Sequence, residues 1–134
     1  MRLLVRTAAV VAGALVLVGG VTAPAMARDT TTEDVGVAAA TCTSSYQYLP
    51  STASVSWNCV LGQGNSGVGV RTLQRSLREC NGQSISVDGI YGPATRNAVV
   101  NVQRRASISA DGVYGPQTRR NMRWLTATGC NWRR

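Results

Sequence analysis

The feature that most constrains this chain is a twelve-residue segment that occurs twice. ISVDGIYGPATR at residues 85–96 returns as ISADGVYGPQTR at 108–119, with nine of twelve positions identical at an offset of 23. Each copy holds an Asp-Gly pair, an apolar residue, a tyrosine and then Gly-Pro, so each predicts the same local structure. Gly89 and Gly112 suit turn positions at positive φ, where the missing Cβ removes a clash, and Asp88 and Asp111 can accept backbone hydrogen bonds inside the turn. Pro93 and Pro116 suit the first position of a helix, where the absent N–H has no partner to lose. The repeat therefore predicts two equivalent turns, each launching a helix. Two copies are too few for a solenoid, since neither can bury a core alone.

A further helix is predicted upstream, from Ser66 to Cys80. Val70, Leu73 and Leu77 repeat at i, i+3 and i+7 and so share one face. The preceding GQGNSGVGV reads as a turn, with Asn65 or Ser66 placed to cap the helix. Arg71, Arg75 and Arg78 repeat on another face as a basic edge. The helix begun at Pro93 presents Thr95, Ala98 or Val99, Val102 and Ala106 on one side, and the helix begun at Pro116 presents Thr118, Met122 and Leu125. Together these predict an all-α fold, a compact three-helix module with two equivalent turn-loops.

The first 27 residues read as a secretory signal peptide: Arg2 and Arg6 precede an uncharged stretch that ends in Ala25-Met26-Ala27. Residues 28–41, rich in threonine and acids without an apolar face, are expected to be a disordered linker or pro-segment. Residues 42–61 read as an extended or irregular, disulfide-clamped extension, and residues 62–134 as the folded domain with a basic tail. No second stretch is apolar enough to span a membrane, so none is expected after signal cleavage. In an exported chain of this size, four cysteines read as two disulfides. Three connectivities are open. Cys42–Cys59 with Cys80–Cys130 is favoured, because the first closes a local loop and the second ties a helix end to the tail. On the chain-entropy model these contribute about 3 and 4 kcal/mol.

Charge narrows the partners. The chain has no lysine and no histidine, and from Cys42 onward eleven arginines face Glu79, Asp88 and Asp111, a formal charge of +8. Such a surface seeks polyanions. Outside the cell these are wall carboxylates, teichoic phosphates and anionic lipid, and nucleic acid is not the expected partner. Chemistry narrows the function. Without His, Lys or a free thiol there is no imidazole or amine base and no Cys nucleophile, and no cluster can ligate zinc. One acid per turn is too few for calcium. Neither metal nor cofactor is expected. Asp88 and Asp111 would be a glycosidase pair only in unlike environments that separate their pKa values, whereas matched turns give them the same one.

The order G-x-x-x-x-x-V-x-x-LQ (Gly64 to Val70, then Leu73-Gln74), DG-x-YG-P-x-T-x-x-AV-x-x-VQ (Asp88 to Gln103) and DG-x-YGP-x-T (Asp111 to Thr118) resembles the peptidoglycan-binding domain 1 family over roughly residues 62–125. The chain departs from the family pattern at Val102, where phenylalanine is common, and is expected to carry no catalytic domain, whereas the family's domain usually serves an attached hydrolase. The resemblance implies a three-helix fold and affinity for bacterial peptidoglycan. The expected function is thus non-catalytic wall binding by a secreted, cell-wall-associated monomer, with teichoic acid as a further ligand. The alternative is a secreted protein-interaction module, an inhibitor or partner of a secreted enzyme. Candidate ligand-binding residues are Arg71 and Arg75, the turn residues Asp88, Gly89, Asp111 and Gly112, and Tyr91 and Tyr114, which supply guanidinium forks, turn backbone and aromatic faces. Packing beneath the turns is the other role open to the tyrosines, and holding the turns the other role open to the aspartates. Trp124 is expected in the core and Trp132 at the surface.

Overall fold

The computed structural model describes residues 38–133. The expected signal peptide, and residues 28–37 of the expected linker, lie outside that range. From Ala39 onward the described chain forms one compact unit. In order it contains β1 (Ser44–Tyr46), β2 (Leu49–Ser51), α1 (Val68–Asn81), α2 (Pro93–Arg105), α3 (Pro116–Arg120), β3 (Arg123–Thr126) and β4 (Gly129–Trp132). No helix among the described residues is long and apolar enough to cross a membrane.

This corrects the all-α expectation. Three helices are present, but two antiparallel two-stranded sheets, β1–β2 and β3–β4, accompany them. The largest departure is after Pro116, where the helix was expected to run to Leu125. It ends at Arg120, and the chain turns into β3. From Arg123 onward the side chains alternate: Trp124 and Thr126 are buried, while Arg123 is exposed and Leu125 half-buried. That period of two suits a strand. The register Arg123↔Trp132 to Thr126↔Gly129 is pinned by the Cys80–Cys130 disulfide, which ties β4 to the last turn of α1.

The upstream boundary also shifts. α1 begins at Val68 with Gly67 as its N-cap and no side-chain cap. Ser66 instead forms a bridge with Ile90, and Asn65 Oδ1 accepts the Gly62 N–H at 2.8 Å. Both residues stabilise the loop before the helix rather than its first turn.

α1 is the hub of the unit, touching both hairpins and α2. Its apolar face (Val70, Leu73, Leu77) packs with Tyr91, Val99, Val102, Tyr114, Met122 and Trp124 in one core. Cys42 and Cys59, joined as favoured from the sequence, enter that core at its edge. Gly69 allows this: a Cβ there would run into the Cys42 carbonyl. Ala40 O and Val60 O accept from Val60 N and Cys42 N, so the end of the segment expected to be a linker is hydrogen-bonded.

Candidate functional site

The two repeats fold into two nearly identical hydrogen-bonded clamps, each closed by a glutamine from the helix before it. In the first, Gln74 of α1 donates from Nε2 to Asp88 Oδ1 (2.8 Å), Ile90 O (2.9 Å) and Thr95 Oγ1 (3.0 Å), and its Oε1 accepts the Gly89 N–H (2.7 Å). In the second, Gln103 of α2 donates to Asp111 Oδ1 (3.0 Å), Val113 O (2.9 Å) and Thr118 Oγ1 (2.9 Å), and accepts from Gly112 N (2.9 Å). Each aspartate also accepts from the amide two residues on, Ile90 N or Val113 N, at 2.9 Å. Both glutamines are buried, so these bonds replace lost water and fix the turns rigidly.

This network explains the protonation state of Asp88. Its carboxylate accepts the Ile90 amide first and the Gln74 amide second, which holds its pKa below the ordinary 3.8. Asp111 accepts the equivalent hydrogen bonds, so each acid is engaged in its own turn.

An arginine covers each turn glycine. Gly89 and Gly112 have φ of 79° and 75°, and both are buried. Arg71 Nη2 lies 3.0 Å from where a Cβ on Gly89 would stand, and Arg96 Cγ lies 2.7 Å from the same point on Gly112. Arg96 also donates from Nη2 to Asp111 O at 3.1 Å. Beside each arginine an apolar side chain faces solvent: Ile90 is 59% exposed and Val113 41%. The result is a doubled surface motif, guanidinium beside aliphatic side chain beside carboxylate edge.

The residues singled out from sequence separate into three groups. The turn residues form the first group, with Arg71 beside Asp88 and Gly89 at the first turn and Asp111 with Gly112 at the second. Tyr91 and Tyr114 form the second, being 1% and 0% exposed, so a ligand at the surface reaches neither ring. Tyr91 Oη donates to Gly112 O at 2.9 Å and links the first repeat to the second turn, while the Tyr114 ring meets Trp124 edge-on at 5.8 Å. Burial raises the pKa of both phenols well above 10. Arg75 points elsewhere, into a cleft formed with β1–β2 and β3.

Arg96, Ile90 and Val113 were missed from the sequence. The signal was present, because Ile90 and Val113 precede buried tyrosines in extended chain and alternation turns them outward. Arg96 occupies the same repeat position as Arg119. The two diverge in space: Arg96 reaches the next turn, whereas Arg119 has no next turn and lies with its guanidinium 5.9 Å from the Trp57 ring. Among the described residues no cluster of three or more His, Cys, Asp or Glu could hold a metal ion.

Residues 66–122 match the family described as putative peptidoglycan binding domain. Both small sheets lie outside that segment. Among solved structures, a peptidoglycan-binding protein from Clostridioides difficile, in complex with glutamine hydroxamate, is 39% identical over 48% of this chain and 40% of its own, with a TM-score of 0.45. An endolysin of Burkholderia AP3 phage is 42% identical over 44% of this chain and 22% of its own, with a TM-score of 0.43. The SleB N-terminal domain is 37% identical over 46% of this chain and 84% of its own, also at 0.43. This chain thus spans well under half of the first two proteins. No curated protein matches it.

Proposed function

Since residues 66–122 belong to the putative peptidoglycan binding domain family, we propose that this protein is exported and binds bacterial peptidoglycan without cleaving it, through the face built from its two turns. The observation that carries the reading is the duplicated clamp. Gln74 and Gln103 hold two turns rigid while Arg71 with Ile90, and Arg96 with Val113, stay accessible beside them. Stem peptides carry carboxylates and short aliphatic side chains. A guanidinium fork pairs with the first, and an exposed aliphatic side chain packs on the second. A pre-formed face also loses little conformational freedom on binding.

Non-catalytic binding is supported by the use made of the acids. Asp88 and Asp111 are each committed to their own turn, in matched surroundings, with no general base beside them. Two disulfides fit an oxidising, extracellular setting. The excess of arginine adds long-range attraction to an anionic wall, and teichoic phosphate would share in it.

Co-sedimentation with purified sacculi stripped of teichoic acid tests this reading. The mature protein is expected in the pellet at physiological salt, with the double variant Arg71→Gln, Arg96→Gln binding at least tenfold more weakly. A folded wild-type protein left in the supernatant would overturn the proposal, as would release of soluble muropeptides by the protein alone.

A further inference from the structure

One hollow among the described residues lies away from the turns. It is a cleft of about 630 Å³ between the β1–β2 hairpin, the outer side of α1 and β3, within the size range that takes small ligands. Both strand elements that wall it lie outside the family segment. Its lining combines an aromatic ring, a cation and hydroxyls: Tyr48 at the hairpin tip, Arg75 and Thr72 from α1, Ser45 from β1 and Thr126 from β3.

Two observations mark the cleft as more than a gap between elements. Arg75 is exposed and, among the described residues, has neither hydrogen bond nor ion pair, because the acid one turn on, Glu79, is held by Arg78 at 2.9 Å. The hairpin tip is also held in a disfavoured conformation. Gln47 and Tyr48 have φ of 51° and 70°, the mirror-image turn that normally selects asparagine and glycine. A tyrosine keeps such a backbone only where the surroundings over-determine it.

The bracing is visible on the other side of the hairpin. The Tyr46 ring lies 6.1 Å from that of Trp57, Trp57 Nε1 donates to Tyr46 O at 3.3 Å, and the Arg119 guanidinium covers Trp57. The second repeat thereby supports the hairpin that carries Tyr48, which is 49% exposed.

We propose that this cleft is a second ligand site, separate from the turn face, which takes an N-acetylated amino sugar bearing a carboxylate. The Tyr48 ring packs on the pyranose C–H face, the Arg75 guanidinium pairs with the carboxylate, and the Ser45 and Thr72 hydroxyls exchange hydrogen bonds with the sugar. An apolar peptide side chain would find the Tyr48 ring and the half-buried Leu125 here but would leave the Arg75 guanidinium unpaired. The choice of an amino sugar rests on the wall-binding reading, and within the wall it is glycan stripped of its stem peptides that leaves this carboxylate free, since in intact wall it is amide-bonded to the peptide; the chemistry of the cleft does not rest on that reading.

Titration of the mature protein with N-acetylmuramic acid, N-acetylglucosamine and lactate, followed by amide NMR signals, tests the assignment. N-acetylmuramic acid is expected to shift Ser45, Tyr48 and Thr72 saturably. N-acetylglucosamine, which lacks the carboxylate, and lactate, which lacks the ring, should bind at least tenfold more weakly. Arg75→Gln and Tyr48→Ala should each weaken N-acetylmuramic acid at least tenfold, and Arg104→Gln, at an exposed arginine outside both sites, should leave it unchanged. Silence of these signals, or undiminished binding in both cleft variants, would overturn the site. If sacculi bind through Arg71 and Arg96 while the cleft stays silent, only this proposal falls. If the cleft binds the sugar while sacculi do not co-sediment, only the wall-binding reading falls.

Discussion

At the scale of single residues, the two buried glutamines matter more than the aspartates that attract notice in the sequence. Each engages four partners at once, its Nε2 sharing two N–H groups among three acceptors and its Oε1 accepting one amide. Gln74→Glu keeps the shape but removes the Nε2 donor and sets a carboxylate against Asp88. A loss of about 3 kcal/mol follows, because buried acceptors are left unpaired beside like charge. Urea unfolding measures it, and a loss below about 0.5 kcal/mol, the range of an ordinary surface substitution, would contradict the clamp. The repeat-equivalent tyrosines offer a paired test. Tyr91→Phe strands the Gly112 carbonyl and is expected to cost about 1 kcal/mol. The Tyr114 hydroxyl is buried with no hydrogen-bond partner among the described residues, so Tyr114→Phe should be neutral or stabilising. Equal losses in the two variants would contradict the assigned contacts. The turn residues were legible as a pair because the repeat prints them twice. The tyrosines' burial was legible only as one of two open roles, packing beneath the turns or binding ligand, and the structure takes the first.

At the scale of elements, the helix starts at Pro93 and Pro116 and the apolar face of α1 were legible, because proline position and 3.6-residue spacing are local signals. The two hairpins were not. β1–β2 has three-residue strands, a proline within β2 and a Gln-Tyr turn in place of Asn-Gly, so it carries none of the usual hairpin signals. In RWLTATGCNW the strand alternation was outweighed by the i, i+4 match of Thr118 and Met122, and long-range ties settle it: the Cys80 disulfide and the hydrogen bonds of Arg123 with Asn81 and of Leu125 with Ser76. Hairpin docking makes a prediction of its own. Gly69→Ala forces the Cys42 carbonyl away from α1 and should cost about 1–3 kcal/mol by overpacking, despite alanine's better helix propensity. A stabilised variant in thermal unfolding would show that the extension does not pack where the structure has it.

At the scale of the whole molecule, the two kinds of perturbed acid set the limits of stability. Asp88 is depressed in the fold, so its contribution is present above the ordinary value of 3.8 and is lost as pH falls. Tyr91 and Tyr114 are raised, so theirs is complete below pH 10 and is lost as pH rises beyond it, since the unfolded chain ionises first. Urea midpoints should therefore form a plateau between about pH 4 and 10 and fall on both sides, with tyrosinate absorbance of the buried pair rising together with loss of helix signal. Tyrosinate from that pair in a still-folded protein would contradict their burial. On the proposed reading the same rigidity serves binding, since the turns that resist unfolding hold Arg71 and Arg96 in place. The measurement that bears most directly on this is an amide NMR titration of the mature protein with soluble muropeptides. Saturable shifts are predicted at residues 88–90 and 111–113, with saturation moved to at least tenfold higher muropeptide in the double variant Arg71→Gln, Arg96→Gln. A folded protein in which both turns stay silent at saturating muropeptide would contradict the central claim.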